Sequence, residues 1–253
     1  MQLSIIVPAF NEETRIPHML DSYLPYFVNL YGSEFEFIVV VNGSVDNTEN
    51  IVRHYAETYP QIQLFVEPHE IGKGGAIMLG FKKARGNLIG YVDADGSTPP
   101  KAFNDLVRNL GSAGAIIASR WNKESKITLS QPFSRKVASR IFNGIVHILF
   151  RLRISDTQCG AKLLTANAVS KVLPKLGITR WAFDVDLLFQ LKKAGFHISE
   201  IPTIWHDVSN SRLRIVCASL EMLAALIRLR LIYSPMKWIV ALYDRTLGSL
   251  HKI

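Results

Sequence analysis

Five short apolar runs alternate with four helical segments through the first 120 residues. This rhythm limits the fold more than any other feature of the chain. The runs at 3–8, 36–41, 62–67, 88–93 and 115–119 are mostly continuous in their apolar character, as strands buried on both faces are. The intervening segments 12–30, 46–59, 73–85 and 100–110 carry helical spacing. Repeated β-α units with buried strands predict an α/β fold with a doubly wound, mainly parallel sheet. Beyond residue 120 the pattern changes. Residues 121–131 are polar and read as a loop. Helices are expected at 133–152, 166–173 and 183–194, a late strand within 197–205, and two final helices at 212–233 and 235–247. The break between the last two falls at Ser234-Pro235.

In a sheet of this kind ligands bind at the carboxyl ends of the strands. Asp93-Ala94-Asp95 follows the fourth run directly and places two carboxylates at such an end. Two carboxylates there can hold a hard divalent cation, and that cation can neutralise a diphosphate. By itself the triplet reads more readily as a turn into a helix that starts at Pro99-Pro100. Asn42-Gly43-Ser44-Val45-Asp46 follows the second run, where Gly43 permits a sharp turn and Asp46 can cap the next helix. Gly72-Lys73-Gly74-Gly75 opens the third helix with a lysine and bare backbone, a pattern that favours an anion. It has neither the P-loop spacing nor the Gly-x-Gly-x-x-Gly fingerprint. Asp184 and Asp186 lie two apart on a predicted helix, so only one of them needs to enter a site.

Charge narrows the partners. Lys plus Arg number 29 against 21 Asp plus Glu, a net of +8. Such a balance suits nucleic acid, an anionic membrane surface or phosphorylated substrates. Half of the excess lies in residues 206–253, which hold seven Lys/Arg against three Asp/Glu. Arg135, Lys136 and Arg140 flank one apolar helix face, and Arg212, Arg214, Arg228 and Arg230 flank another. This combination predicts helices lying in a membrane interface. No run reaches the ~18 uncharged apolar residues needed to span a bilayer. The N-terminus lacks a basic n-region, so no signal peptide is expected, and two cysteines fit a reducing compartment.

As an ordered set, Ile6-Val7-Pro8-Ala9-Phe10-Asn11-Glu12, Gly72-Lys73-Gly74-Gly75-Ala76, Asp93-Ala94-Asp95-Gly96 and Ala118-Ser119-Arg120 resemble the inverting family 2 glycosyltransferases of the GT-A fold. Asp156-Thr157-Gln158-Cys159-Gly160-Ala161-Lys162-Leu163 and the segment 180–188 are similar to the branch that charges dolichyl or polyprenyl phosphate with a hexose. The resemblance covers about residues 3–233. It implies a GT-A catalytic domain at 1–205 and membrane-interface helices at 206–253. It also implies Mg²⁺ or Mn²⁺ on Asp93 and Asp95. The nucleotide sugar would be bound by Pro8, Ala9, Asn11, Glu12, Asn42, Lys73, Asp93, Ala94 and Asp95. Arg120, Arg135 and Arg212 would receive the lipid phosphate, and Asp184 and Asp186 would orient the sugar or act as base. The implied donor is UDP-glucose, with GDP-mannose as runner-up. The implied location is the cytoplasmic face of a membrane, held peripherally, with no nucleic-acid partner. Three departures stand out: Asn42 replaces a usual carboxylate, Asp186 replaces a usual Glu, and transmembrane helices common in lipid-carrier relatives are missing. Three other readings stay open at this stage: a soluble glycan acceptor, a nucleotidyltransferase, and an inactive membrane-docking scaffold.

Overall fold

The computed structural model describes residues 1–128, 133–177, 182–206, 215–238 and 240. Four parallel strands form one side of the central sheet: β1 (Leu3–Ala9), β2 (Phe35–Asn42), β3 (Ile62–Glu67) and β4 (Leu88–Tyr91). They are connected by α1 (Ile16–Tyr31), α2 (Thr48–Thr58) and α3 (Gly72–Lys83). After β4 come α4 (Pro100–Asn109), β5 (Ala115–Ser119), β6 (Lys126–Ile127) and α5 (Phe133–Phe150). The rest is β7 (Lys162–Thr165), α6 (Ala166–Val172), α7 (Phe183–Lys193), β8 (Ile198–Pro202), β9 (Ile204–Trp205) and α8 (Ile215–Ile232). The seven-stranded sheet runs β3-β2-β1-β4-β7-β5-β8, and β6 pairs with β9 beside it.

The mainly parallel, doubly wound sheet expected from the sequence is present. One strand departs from it. β7 runs antiparallel between β4 and β5, so those two never pair with each other. Two smaller differences follow. Part of the expected polar loop at 121–131 supplies β6, and the late strand at 197–205 divides into β8 and β9. Most of the second C-terminal helix, with Arg212, lies outside the described residues.

The period-2 alternation of β1 sorts its side chains onto two cores. Leu3, Ile5, Val7 and Ala9 meet Met19, Leu20, Tyr23 and Phe27 of α1 on one face. Ile6 meets the other face, where α3, α5, α7 and α8 supply Ile77, Val146, Leu188 and Leu226. Ala225, Leu226 and Leu229 are buried in this second core, so α8 is packed onto the sheet.

At the amino end of the sheet, far from the acidic strand end, Glu36 is buried and shared by several donors. Its Oε1 accepts from the Ser4 hydroxyl at 2.6 Å and the Arg85 amide at 2.7 Å. Its Oε2 accepts from Gln63 Nε2 at 2.7 Å and Arg85 Nε at 2.9 Å. Removing the acceptor leaves buried donors without partners, which costs more than the bonds themselves. Glu36→Ala should therefore lower stability by about 3 kcal/mol in urea unfolding, while the activity per folded molecule stays unchanged.

Candidate active site

The strand order reverses at β1. β2 and β3 lie to one side of it and β4 to the other, so the carboxyl ends of β1 and β4 flank the crevice where α/β sheets bind ligands. On the β1 side, the chain leaves the strand through Asn11, whose φ of 53° is a left-handed conformation that Asn tolerates. That turn is stapled to the loop after β2. The Asn11 amide donates to Ser44 Oγ at 3.0 Å, and Asn11 Oδ1 accepts the Val45 amide at 2.9 Å. The Glu12 amide donates to Thr48 Oγ1 at 2.8 Å. Gly43 has a φ of 61°, and a Cβ there would lie 2.7 Å from the backbone nitrogen of Glu70. The loop can pass that closely only as glycine.

Four of the expected nucleoside residues meet at this junction. Asn42 is buried and donates from Nδ2 to the Ala9 carbonyl at 3.1 Å, while its Oδ1 finds no partner in the protein. The Ala9 side chain faces the core, so its backbone carbonyl is the group on offer. Pro8 stays within the strand, opposite Val40. Glu12 pairs one oxygen with Arg15 at 2.6 Å, and the other is buried without a partner. Burial raises the Glu12 carboxyl to about 7; Arg15 opposes the shift, and the nearby Asp95 and Asp93 add to it.

The β4 side carries the charges. Asp95 Oδ1 accepts the Ser97 amide at 2.9 Å, so the turn chemistry legible in the sequence is real and coexists with the acidic pair. Asp93 Oδ1 pairs with Lys73 Nζ at 2.6 Å, and the same ammonium stands 3.9 Å from Asp184 Oδ2. Asp184 Oδ1 accepts from the Tyr91 hydroxyl and from Lys162 Nζ, each at 2.6 Å. Lys162 also donates to the Cys159 carbonyl at 2.6 Å. Burial raises the Asp93 carboxyl, with Lys73 pulling against it and Asp95 adding to it. Burial would raise Asp184 too, but Lys162 and Lys73 outweigh it and hold the group below the usual carboxylate range.

The segment at 155–160 forms the third wall. Asp156, fully buried, grips Arg120 through three donors: Nε at 2.7 Å, Nη2 at 2.8 Å and the backbone amide at 3.0 Å. The Arg120 guanidinium also lies 5.0 Å from the Trp205 ring centre. At the end of the segment, a Cβ on Gly160 would fall 1.9 Å from Asp93 Oδ2. Glycine is what allows the backbone to close over that carboxylate.

The structure therefore gathers Asp93, Ala94, Asp95, Lys73, Asp184 and Arg120 around one strand end. Asp186 goes elsewhere. Buried on α7, it accepts the Gly177 amide at 3.1 Å and the Tyr233 hydroxyl at 2.7 Å. The side chain of Arg135 and the whole of Arg212 lie outside the described residues. Sequence reasoning assigned no role to Lys162, Tyr91, Asp156 or Gly160. Lys162 and Gly160 stood inside a recognised motif, but their partners belong to other strands and helices.

The donor set fits a hard divalent cation. Among the described residues no group of three His, Cys, Asp or Glu side chains is placed to enclose a metal. Two carboxylates are on hand instead, which is how Mg²⁺ is commonly held when substrate phosphates complete its shell.

Comparisons with known proteins agree with this geometry. The profile described as "Glycosyl transferase family 2" matches residues 4–173. A dolichyl-phosphate beta-glucosyltransferase of Dictyostelium discoideum is 34% identical over 243 residues, covering 91% of this chain and 74% of that protein. Its Homo sapiens counterpart is 33% identical over 250 residues, covering 94% of this chain and 77% of its own length. Among solved structures, glucosyl-3-phosphoglycerate synthase from Mycobacterium tuberculosis, in complex with Mn²⁺, UDP and phosphoglyceric acid, superposes with a TM-score of 0.67. It is 18% identical and covers 90% of this chain and 78% of that one. S. aureus TarS 1-349 in complex with UDP-GlcNAc aligns with a TM-score of 0.59 at 15% identity, covering 99% of this chain and 74% of that one. At these identities the likeness is one of fold, the GT-A fold.

Two outcomes follow from the site. Gly160→Ala should keep the circular dichroism of the wild type and lose roughly a hundredfold in turnover, because its methyl displaces Asp93. A wild-type rate would show that the backbone does not abut the carboxylate. The second concerns pH. The folded chain keeps a proton on Glu12 that the unfolded chain releases. The stability this group contributes is complete below about pH 4.5 and is lost as pH rises through about 7. Glu12→Gln should flatten that decline, seen as a smaller fall in Tm between pH 5 and 8, by a few degrees or about 1 kcal/mol.

Proposed function

The chain belongs to glycosyl transferase family 2, and we propose that it moves glucose from UDP-glucose onto dolichyl or another polyprenyl phosphate at a membrane surface. It is a nucleotide-sugar glycosyltransferase; the donor, the acceptor and the membrane are the parts proposed. The names of its relatives favour a glucosyl donor and a dolichyl-phosphate acceptor, and UDP bound to structural neighbours favours uridine over guanosine.

One observation carries the choice of acceptor. Asp184 is clamped by Lys162 and Lys73 and held below the usual carboxylate range. It is a poor proton acceptor at neutral pH, where a useful base has a pKa near the working pH. A hydroxyl acceptor needs such a base. A phosphate monoester, with a second pKa near ~6, arrives largely deprotonated and does not. Asp186, occupied with Gly177 and Tyr233, does not fill the role, and neither does Glu12, which is raised to about 7 but is paired with Arg15 on the nucleoside side of the crevice.

Each group then has a task. Asn11, Glu12, Asn42 and the Ala9 carbonyl line the nucleoside side of the crevice. A Mg²⁺ or Mn²⁺ ion held by Asp93 and Asp95, when bound, supplies positive charge against the leaving diphosphate. Lys73 keeps Asp93 ionised and adds a cation beside it. Asp184 fixes Lys162 and Tyr91 and faces the sugar. Arg120, aligned by Asp156, presents the guanidinium plane over Trp205 to the incoming phosphate, and Arg135 and Arg212, outside the described residues, are assigned to the same phosphate from the sequence alone. Attack from the side opposite the diphosphate inverts the anomeric carbon and leaves a β-linked lipid phosphate sugar.

The reading places residues 1–205 as the catalytic body and 206–253 at the interface, with α8 packed on that body through Ala225, Leu226 and Leu229. α5 exposes Val137, Ile141 and Ile148 along one face, and Ile227, Met236 and Trp238 are exposed near the C-terminus. Among the described residues no helix is long and apolar enough to cross a membrane. In this proposal these surfaces lie in the headgroup plane, peripherally and on the cytoplasmic side.

The test offers UDP-glucose and GDP-mannose to the full chain, with dolichyl phosphate in phosphatidylcholine–phosphatidylserine vesicles and Mg²⁺ or Mn²⁺. The expected product is a glucosylated lipid phosphate formed from UDP-glucose. Asp95→Asn should reduce turnover roughly a hundredfold, and excess chelator should stop it. Transfer from GDP-mannose alone would overturn the donor, and transfer only to soluble glycans would overturn the acceptor.

A further inference from the structure

The helix with the exposed apolar stripe is hydrogen-bonded to the wall of the site. Asn143 sits on α5, on the flank that faces the core rather than the stripe. Its Oδ1 accepts twice from one residue, from Thr157 Oγ1 at 2.6 Å and from the Thr157 amide at 3.2 Å. Its Nδ2 donates back to the Ser139 carbonyl at 3.2 Å, which fixes the amide's orientation. Thr157 is buried, so water cannot replace an acceptor it loses.

Thr157 belongs to the short segment that touches Arg120, Lys162 and Asp93. The residue before it, Asp156, aligns Arg120. Two residues later the Cys159 carbonyl holds Lys162, the partner of Asp184. Three residues later Gly160 abuts Asp93. A second tie links α5 to the same region: the Arg140 guanidinium lies 5.0 Å from the ring centre of Trp121, the residue after Arg120.

We propose that Asn143 is a positioning residue: it transmits the placement of α5 to the 156–160 segment, and so sets Arg120 for the lipid-phosphate acceptor. The inference rests on the acceptor and membrane reading above. It adds that the helix docked at the lipid surface and the groups that meet the phosphate are joined through one side-chain amide. A misplacement of the segment by a fraction of an ångström disturbs the acceptor without disturbing the nucleoside crevice, whose staples lie on the other side of β1.

The experiment compares Asn143→Ala and Asn143→Asp with the wild-type full chain, using dolichyl phosphate in vesicles and UDP-glucose. Asn143→Ala should lower kcat roughly tenfold or more while KM for UDP-glucose stays at its wild-type value. Asn143→Asp keeps an acceptor for both Thr157 donors and should recover to within about threefold. Backbone amide exchange should quicken across 156–160 in the alanine variant and remain unchanged in β1 and β4. Equal loss in both variants, an alanine variant with wild-type kcat, or exchange that quickens uniformly would each overturn the proposal. A wild-type chain that fails to glucosylate the lipid would sink the acceptor reading instead, and the exchange pattern would still decide the role of Asn143.

Discussion

The Lys73–Asp93 contact is the interaction on which the site depends. It joins the start of α3 to the end of β4, and through Asp184 and Lys162 it extends to α7 and β7. Lys162 and Asp184 are the deepest of these charges, and removing one partner of such a buried pair leaves the other uncompensated. Together the charges form an alternating row of cations and carboxylates. That row fixes four separate elements relative to the strand end where the substrate's charge must be met.

The alternation also explains why the carboxylates behave differently. Asp93, with one ammonium and a second acid close by, is pushed up by burial. Asp184, between two ammoniums and a phenol, is held down despite deeper burial. The same residue type is thus set to two tasks by its neighbours. Arg120 and Asp156 repeat the device on the third wall of the site, where three donors on one carboxylate give the guanidinium a single orientation.

Much of this was legible in the sequence because it is local. The apolar runs named all five strands of the β-α repeat, and Asp93 and Asp95 announced themselves by following one of them. What was not legible comes from pairing between distant segments. β7 begins with a buried lysine, so it lacks the continuous apolar run that marks the other interior strands. Its lysine is tolerated because Asp184, 22 positions later, lies beside it. Asp184 and Asp186 were equivalent on paper. Only the packing of α8, which brings Tyr233 to Asp186, shows which of them turns toward β4. Gly160 carried no local sign of its role, because the atom that requires it to be glycine belongs to Asp93.

The antiparallel strand has a consequence for how the chain reaches this state. β1 to β4 can assemble among themselves as soon as residue 91 is available. β5 cannot join them, because it pairs only with β7 and β8, and β7 begins at residue 162. During synthesis the apolar strand at 115–119 therefore emerges some forty residues before its first partner. Such a strand exposes unpaired edges while it waits, the condition under which nascent chains aggregate or recruit chaperones. The sheet closes late, around a strand that contributes Lys162, so completion of the barrier to misassembly and completion of the charge row are one folding event.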